Sequence, residues 1–195
     1  MPQSDEQLML ESRQGSMQAF ELLVRRWDRR MLLYLHRCVG DLSEAEDLRQ
    51  ELFFKVYQKR QSYKADGCFK SWLYRIATNL VIDKHARKSK PATQPFEDVE
   101  ADYGASIPAD ALNSRQLASL SEFENQIFAA LQRIPGDERI ALVLRHFEDL
   151  KFKEIAELTN EPESTIKSRV YRGLQSMRTE LKRTGLMESD CMASI

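Results

Sequence analysis

A chain of 195 residues, 42% hydrophobic and 30% charged, has the make-up of a soluble globular protein long enough to bury one or two cores. No run approaches the roughly 18 uninterrupted apolar residues of a membrane span, and the three cysteines are too far apart for a metal site or a disulfide framework. The net charge of −1 conceals a segregation, +5 over residues 1–90, −6 over 91–126 and +2 over 127–184. Only 7 glycines and 6 prolines interrupt a chain rich in Leu, Ala, Glu, Arg, Lys and Gln, so the expected fold class is all-α. The start, MPQSDEQLML, carries acids where a secretory leader carries basic residues and a long apolar core. A reducing cytoplasm is the expected location.

Residues 1–90 read as one helical domain. AFELLVRRWDRRMLLYLHRCVG sets Phe20, Leu23, Val24, Trp27, Met31 and Leu35 at helical intervals and stops at Gly40. DLSEAEDLRQELFFKVYQKR offers Ser43 and Glu46 in capping-box spacing, and its inward stripe is Ala45, Leu48, Leu52 and Val56. YKADGCFK breaks the period at Asp66-Gly67. FKSWLYRIATNLVIDKHARKSK resumes it with Phe69, Trp72, Leu73, Ile76 and Leu80 on one face, up to Pro91. Arg75, Thr78 and Asn79 fall away from that face, and Lys84, Arg87, Lys88 and Lys90 form a basic end.

Residues 91–123 hold three prolines, many acids and no sustained helical period, and read as an acidic linker. Fully extended, it reaches on the order of 100 Å. Residues 124–185 form a second, smaller helical domain, and 186–195 a tail. ENQIFAALQRI stops at Pro135-Gly136; DERIALVLRHFEDL turns Ile140, Val143, Leu144 and Phe147 inward; FKEIAELT is a short third helix. A fourth starts near Pro162, which suits a first helical turn.

That fourth helix, NEPESTIKSRVYRG and beyond, gathers Ile166, Val170, Leu174, Met177 and Leu181 in one sector. The opposite sector presents Ser164, Lys167, Ser168, Tyr171, Arg172 and Gln175, with Arg169 on the flank. Two short helices joined by a tight turn, the second offering cations, hydroxyls and an amide, follow helix-turn-helix logic. Arg and Lys reach guanine edges or phosphates, and Ser donates to either. A solvated charged face is the bland alternative. Between Thr165 and Arg183, however, the helix carries a single acid, Glu180, and not the alternating signs of an inert surface.

IPGDERIALVLRHFEDLKFKEIAELTNEPESTIKSRVYRGLQSMRTEL resembles the fourth region of bacterial RNA polymerase sigma factors. GSMQAFELLVRRW, EAEDLRQELFFKVYQ and FKSWLYRIATNLVIDKHARK resemble the second region in matching order. The short acidic linker replaces the intervening region, the layout of the extracytoplasmic-function, or group IV, sigma factors. The resemblance implies a subunit that docks on core RNA polymerase, directs it to −10 and −35 promoter elements and opens the duplex. Asp47, Gln50, Glu51 and Phe53 match the family's grip on the clamp coiled coil of the largest catalytic subunit. Phe54 and Tyr57 share the sector away from the core stripe, and exposed aromatics beside an acid and an amide suit protein docking. Packing beneath neighbouring helices is the second reading for Phe53 and Phe54.

The helix from Phe69 would hold the −10 element through Arg75, Asn79, Lys84, Arg87 and Lys88, with one unstacked base captured in the loop Tyr63 to Lys70. Trp72 and Tyr74 invite a stacking role, although Trp72 lies on the apolar face. The −35 element would be read by Ser164, Lys167, Ser168, Tyr171 and Arg172, with Arg169 toward phosphate. The linker would thread the polymerase channels or serve as a solvated tether. Expected partners are core polymerase, at its clamp coiled coil and flap, promoter DNA, and an anti-sigma protein, often membrane-anchored in this family. No small-molecule substrate is expected.

Two other classes fit less of the chain. An autonomous helix-turn-helix regulator accounts for 127–184 but not for the aromatic-rich first domain. Asp41, Glu44, Asp47 and Glu51 invite comparison with a helical carboxylate metal site. No Glu-x-x-His companion, phosphate loop or nucleophile elbow accompanies them. Neither cofactor nor catalysis is expected.

Overall fold

The computed structural model describes residues 3–64, 68–89 and 122–186, and these form α-helices, one short 3-10 turn and no strand. The helices are α1 (Asp5–Arg13), α2 (Met17–Val39), α3 (Leu42–Lys59), α4 (Phe69–Ser89), α5 (Glu122–Gln132), α6 (Gly136–His146), α7 (Phe152–Thr159) and α8 (Glu163–Arg183). The linker proper, Cys191 and Lys90 lie outside the described residues. None of the described helices is long and apolar enough to cross a membrane.

Local chemistry sets most boundaries. Ser4 caps α1 in a full capping box with Gln7: the Gln7 N–H donates to Ser4 Oγ at 3.2 Å, and the Ser4 N–H donates to Gln7 Oε1 at 3.0 Å. Gly40 ends α2 at φ +88°, a left-handed conformation that costs glycine little. The start of α3 differs from expectation. Asp41, not Ser43, is its cap, accepting the Glu44 N–H at 2.8 Å, and Ser43 lies inside the first turn. Asn160, at φ 56°, closes α7, and Pro162 stands one residue ahead of α8, not in its first turn.

In the first unit, α2, α3 and α4 bury the stripes read from the sequence. Trp72 is the exception, being only partly buried. Trp27 meets Phe69 and Tyr74 edge to face at 5.9 and 6.2 Å, and Tyr34 meets Tyr74 at 5.2 Å. Helix α1 is pinned by Asp5, which takes Arg26 and accepts the Trp27 indole N–H at 3.0 Å. In the second unit α6 packs on α8 at Gly173, where a Cβ would come within 3.2 Å of the Glu138 carbonyl oxygen. The buried stripe of α8 is therefore Ile166, Val170 and Gly173, then partly buried Met177; Leu174 is exposed. The two units also pack against each other, α4 on α7 and α2 on α5 and α6, so one apolar core runs through both.

Candidate nucleic-acid and polymerase interfaces

Helix α8 carries its polar face outward. Ser164, Lys167, Ser168, Tyr171 and Arg172 are all exposed, Tyr171 at 66%, although its ring has ample apolar area to bury. The helix is held at this angle by Ile166 and Val170 against α6 and α7, the usual way a second helix is braced for a groove. The sequence sector is nearly free of acids, but the folded face is not. Lys167 pairs with Glu163 at 2.7 Å and Arg172 with Glu138 at 3.2 Å. Arg169 is half-buried between Glu161 and Asp137, the latter 3.4 Å away. These partners come from the turn, from α6 and from the first residue of α8. Reading one helix in isolation could reveal only Glu163, four residues before Lys167.

On α4, Arg75 and Asn79 stand exposed one helical turn apart, and Arg87 follows toward the C-terminus. Lys84 is tethered to Glu44 of α3 at 3.1 Å. The side chain of Lys88 lies outside the described residues. Thr78 does not belong to this face. It is fully buried, its hydroxyl 2.8 Å from that of Tyr34. Tyr74 is buried as well and is unavailable for stacking on a base. In the preceding loop Tyr63 is buried against Phe69 and Trp72, Cys68 is exposed, and Ala65 to Gly67 lie outside the described residues.

On α3, Asp47 and Gln50 are exposed one turn apart, flanked by half-buried Glu51 and Phe54. Glu51 holds Lys55 at 2.7 Å. Phe53 is 4% exposed and belongs to the core, which removes it from the docking surface. Tyr57 lies under the Arg60 guanidinium at 3.8 Å and against Phe20. The carboxylates compared above with a metal site serve separately: Asp41 caps α3, while Glu44 and Glu51 each hold a lysine. Among the described residues no cluster of His, Cys, Asp or Glu could hold a metal ion. Burial pushes the Cys38 thiol up to about 12, leaving it protonated and inert.

The described helices coincide with two family models, Sigma-70 region 2 over residues 23–90 and Sigma-70 region 4 over 124–177. The chain is 31% identical to the RNA polymerase sigma-H factor of Pseudomonas aeruginosa, covering 92% of this chain and 95% of that one. It is 32% identical to the ECF RNA polymerase sigma factor SigW of Bacillus subtilis, covering 87% and 92%. This chain belongs to the extracytoplasmic-function sigma factor family. It is an alternative sigma factor. A solved structure with a similar fold is the sigma factor RpoE of Bartonella quintana in complex with the anti-sigma factor NepR, at a TM-score of 0.62, 21% identity and coverage of 84% of this chain and 96% of that one.

Sequence reasoning about this sigma factor missed a buried residue that four side chains of the first unit contact. Glu148, in the α6–α7 turn, is 1% exposed. Its Oε2 accepts Arg30 Nε at 2.9 Å and also the Tyr74 hydroxyl, Oε1 lies 3.6 Å from Arg37 Nη1, and its backbone carbonyl accepts Lys70 Nζ at 2.7 Å. Burial and the neighbouring Glu148 carboxylate push the Tyr74 phenol far above its ordinary range, so it remains a donor. Phe147, expected inward, is 38% exposed, with Arg37 4.6 Å above its ring. Nearby, the His36 ring stacks on Phe128 at 4.4 Å, and Gln132 Nε2 donates to the Arg37 carbonyl at 3.0 Å.

Proposed function

We propose that this sigma factor docks on core RNA polymerase through the Asp47–Gln50 face of α3, with Glu51 and Phe54 at its edge, and carries two promoter readers. Helix α8 reads the −35 element through Ser164, Lys167, Ser168, Tyr171 and Arg172. Helix α4 holds the −10 element through Arg75 and Asn79, with Lys84, Arg87 and Lys88 toward phosphate, and so promotes duplex opening. The observation that supports this most is the outward set of hydroxyls, cations and Tyr171 on a helix braced from behind by Ile166 and Val170. Phosphates offer Lys167 and Arg172 an alternative to Glu163 and Glu138, at the cost of breaking pairs that are largely solvent-screened. Arg169, half-buried between two acids, acts mainly to hold the helix-turn-helix together and secondarily at the backbone.

The second unit also meets the polymerase flap, and an anti-sigma protein silences the factor in the cytoplasm; the NepR-bound relative supports the latter. The protein performs no catalysis of its own. Run-off transcription with core polymerase on a promoter library tests the reading. Arg172→Ala should lose about 5- to 150-fold in −35 discrimination, toward the upper end because Glu138 is left facing DNA unpaired, with polymerase affinity unchanged. Asp47→Ala should weaken polymerase binding about tenfold and leave promoter choice intact. Selective binding of duplex promoter by the chain alone, without polymerase, would instead favour an autonomous regulator.

A further inference from the structure

A carboxyl side chain is buried as deeply as Glu148 only where its oxygens are partnered, and here Arg30, Arg37 and Tyr74 reach them from the other unit while Lys70 donates to the Glu148 backbone carbonyl. A second attachment lies beside it: Arg139 Nη1 donates to Gln132 Oε1 at 2.5 Å, and Gln132 in turn donates to the Arg37 carbonyl. At the far end of α4, Gly136 lies against His85, where a Cβ would come within 2.8 Å of the ring Nδ1. The units are thus fastened along the length of α4.

That fastening conflicts with the span the function requires. A packed body of this size has a radius of gyration of about 15 Å and a diameter of about 40 Å. Elements named for positions −35 and −10 lie about 25 base pairs apart, or roughly 85 Å at 3.4 Å per step. The chain between Ser89 and Glu122 can extend about 110 Å, so covalent length does not forbid the reach; the packing does. Lys70, which donates to the Glu148 backbone carbonyl, stands where the loop meets the −10 helix.

We propose that Glu148 is an autoinhibitory latch: its carboxyl group plugs the Arg30–Arg37–Tyr74 socket, keeps the free sigma factor closed, and must leave that socket before both promoter elements can be engaged. This rests on the reading of α4 and α8 as separate promoter readers. Opening returns Glu148 and the arginines to water, so the cluster adds to the apolar packing between the units only through its fit. Glu148→Gln retains size but not charge, and is expected to shift the closed–open ratio by about thirty-fold or more toward open.

The test is intramolecular energy transfer in the full chain, with dyes on Glu21→Cys and Lys182→Cys in a Cys68→Ser, Cys191→Ser background. The free protein should show a single high-transfer population, and core polymerase should convert it to low transfer. Glu148→Gln should be substantially open without polymerase and associate with it faster. Arg30→Gln combined with Arg37→Gln attacks the same cluster from the first unit and should open the chain equally, which covers the case in which the Glu148 variant unfolds the second unit. A low-transfer free protein, or distributions for both variants superimposable on the parent, overturns the latch. Absence of polymerase-dependent transcription by the parent overturns the sigma reading instead, whatever the transfer signal does.

Discussion

The Tyr34–Thr78 pair allows a quantitative check of how the first unit is built. Both residues are fully buried and their hydroxyl oxygens are 2.8 Å apart. Tyr34→Phe strands the Thr78 hydroxyl away from water, and an unsatisfied buried polar group costs about 1–3 kcal/mol. Thr78→Val strands the Tyr34 hydroxyl, but the Cys38 thiol beside it remains a weak partner, so the expected cost is about 1 kcal/mol, at the low end of that range. The double variant removes both ends of the bond, and is expected to lie much closer to the parent than the sum of the two single costs. Urea unfolding read by circular dichroism measures each value as a shift in midpoint at unchanged slope. Thr78→Val should also transcribe like the parent once folded, since the side chain lies inside and not on the −10 face. Additive costs in the cycle, or a loss of promoter opening by Thr78→Val at full stability, would refute the placement.

Gly173→Val should destabilise the second unit by about 1–3 kcal/mol, because its side chain enters a gap already 3.2 Å from the Glu138 carbonyl; a lowered unfolding midpoint reports it. Acidification should loosen the junction between the units. Burial, with Arg37 adding to it and Asp41 opposing, lowers the His36 pKa in the closed form, so the open or unfolded form binds the proton more readily. The stacked arrangement therefore keeps its full stability above about pH 6.5 and loses it progressively as pH falls through the lowered value. A titration of the energy-transfer signal between pH 8 and 5, flattened in His36→Gln, is the expected result.

The helical stripes of α2 and α3 were legible because each buries one face against near neighbours, and a 3.6-residue period records that directly. Helix α1 was missed although Ser4 and Gln7 carried its capping signal, for its nine residues offer too short a period to stand out. Ser43 was read as the cap of α3, whereas Asp41, two residues earlier, supplies the oxygen that meets the Glu44 N–H. Thr78 was assigned outward by counting around one helix, and helices packed on two sides have no single outward face; Phe53 was placed by the family motif, and of its two readings the buried one holds. Glu148 and Phe147 were illegible for a deeper reason. Within HFEDLKF they read as a polar turn and an apolar anchor, whereas their surroundings are supplied by residues as far as 118 positions away. The paired acids on the α8 face escaped for the same reason, since Glu138 and Asp137 belong to α6.

Trp27 sits in an unusual position among these contacts. Its indole N–H is held by Asp5, the Arg30 guanidinium lies 5.4 Å over its ring, and its edge meets Tyr74, itself a ligand of Glu148. Emission from such an indole responds to the charge and ring above it, so any withdrawal of the distant turn alters its colour and quenching. The polypeptide consequently contains a native optical gauge, readable in the purified protein during rapid mixing once the second indole, Trp72, is replaced, before a single dye is attached.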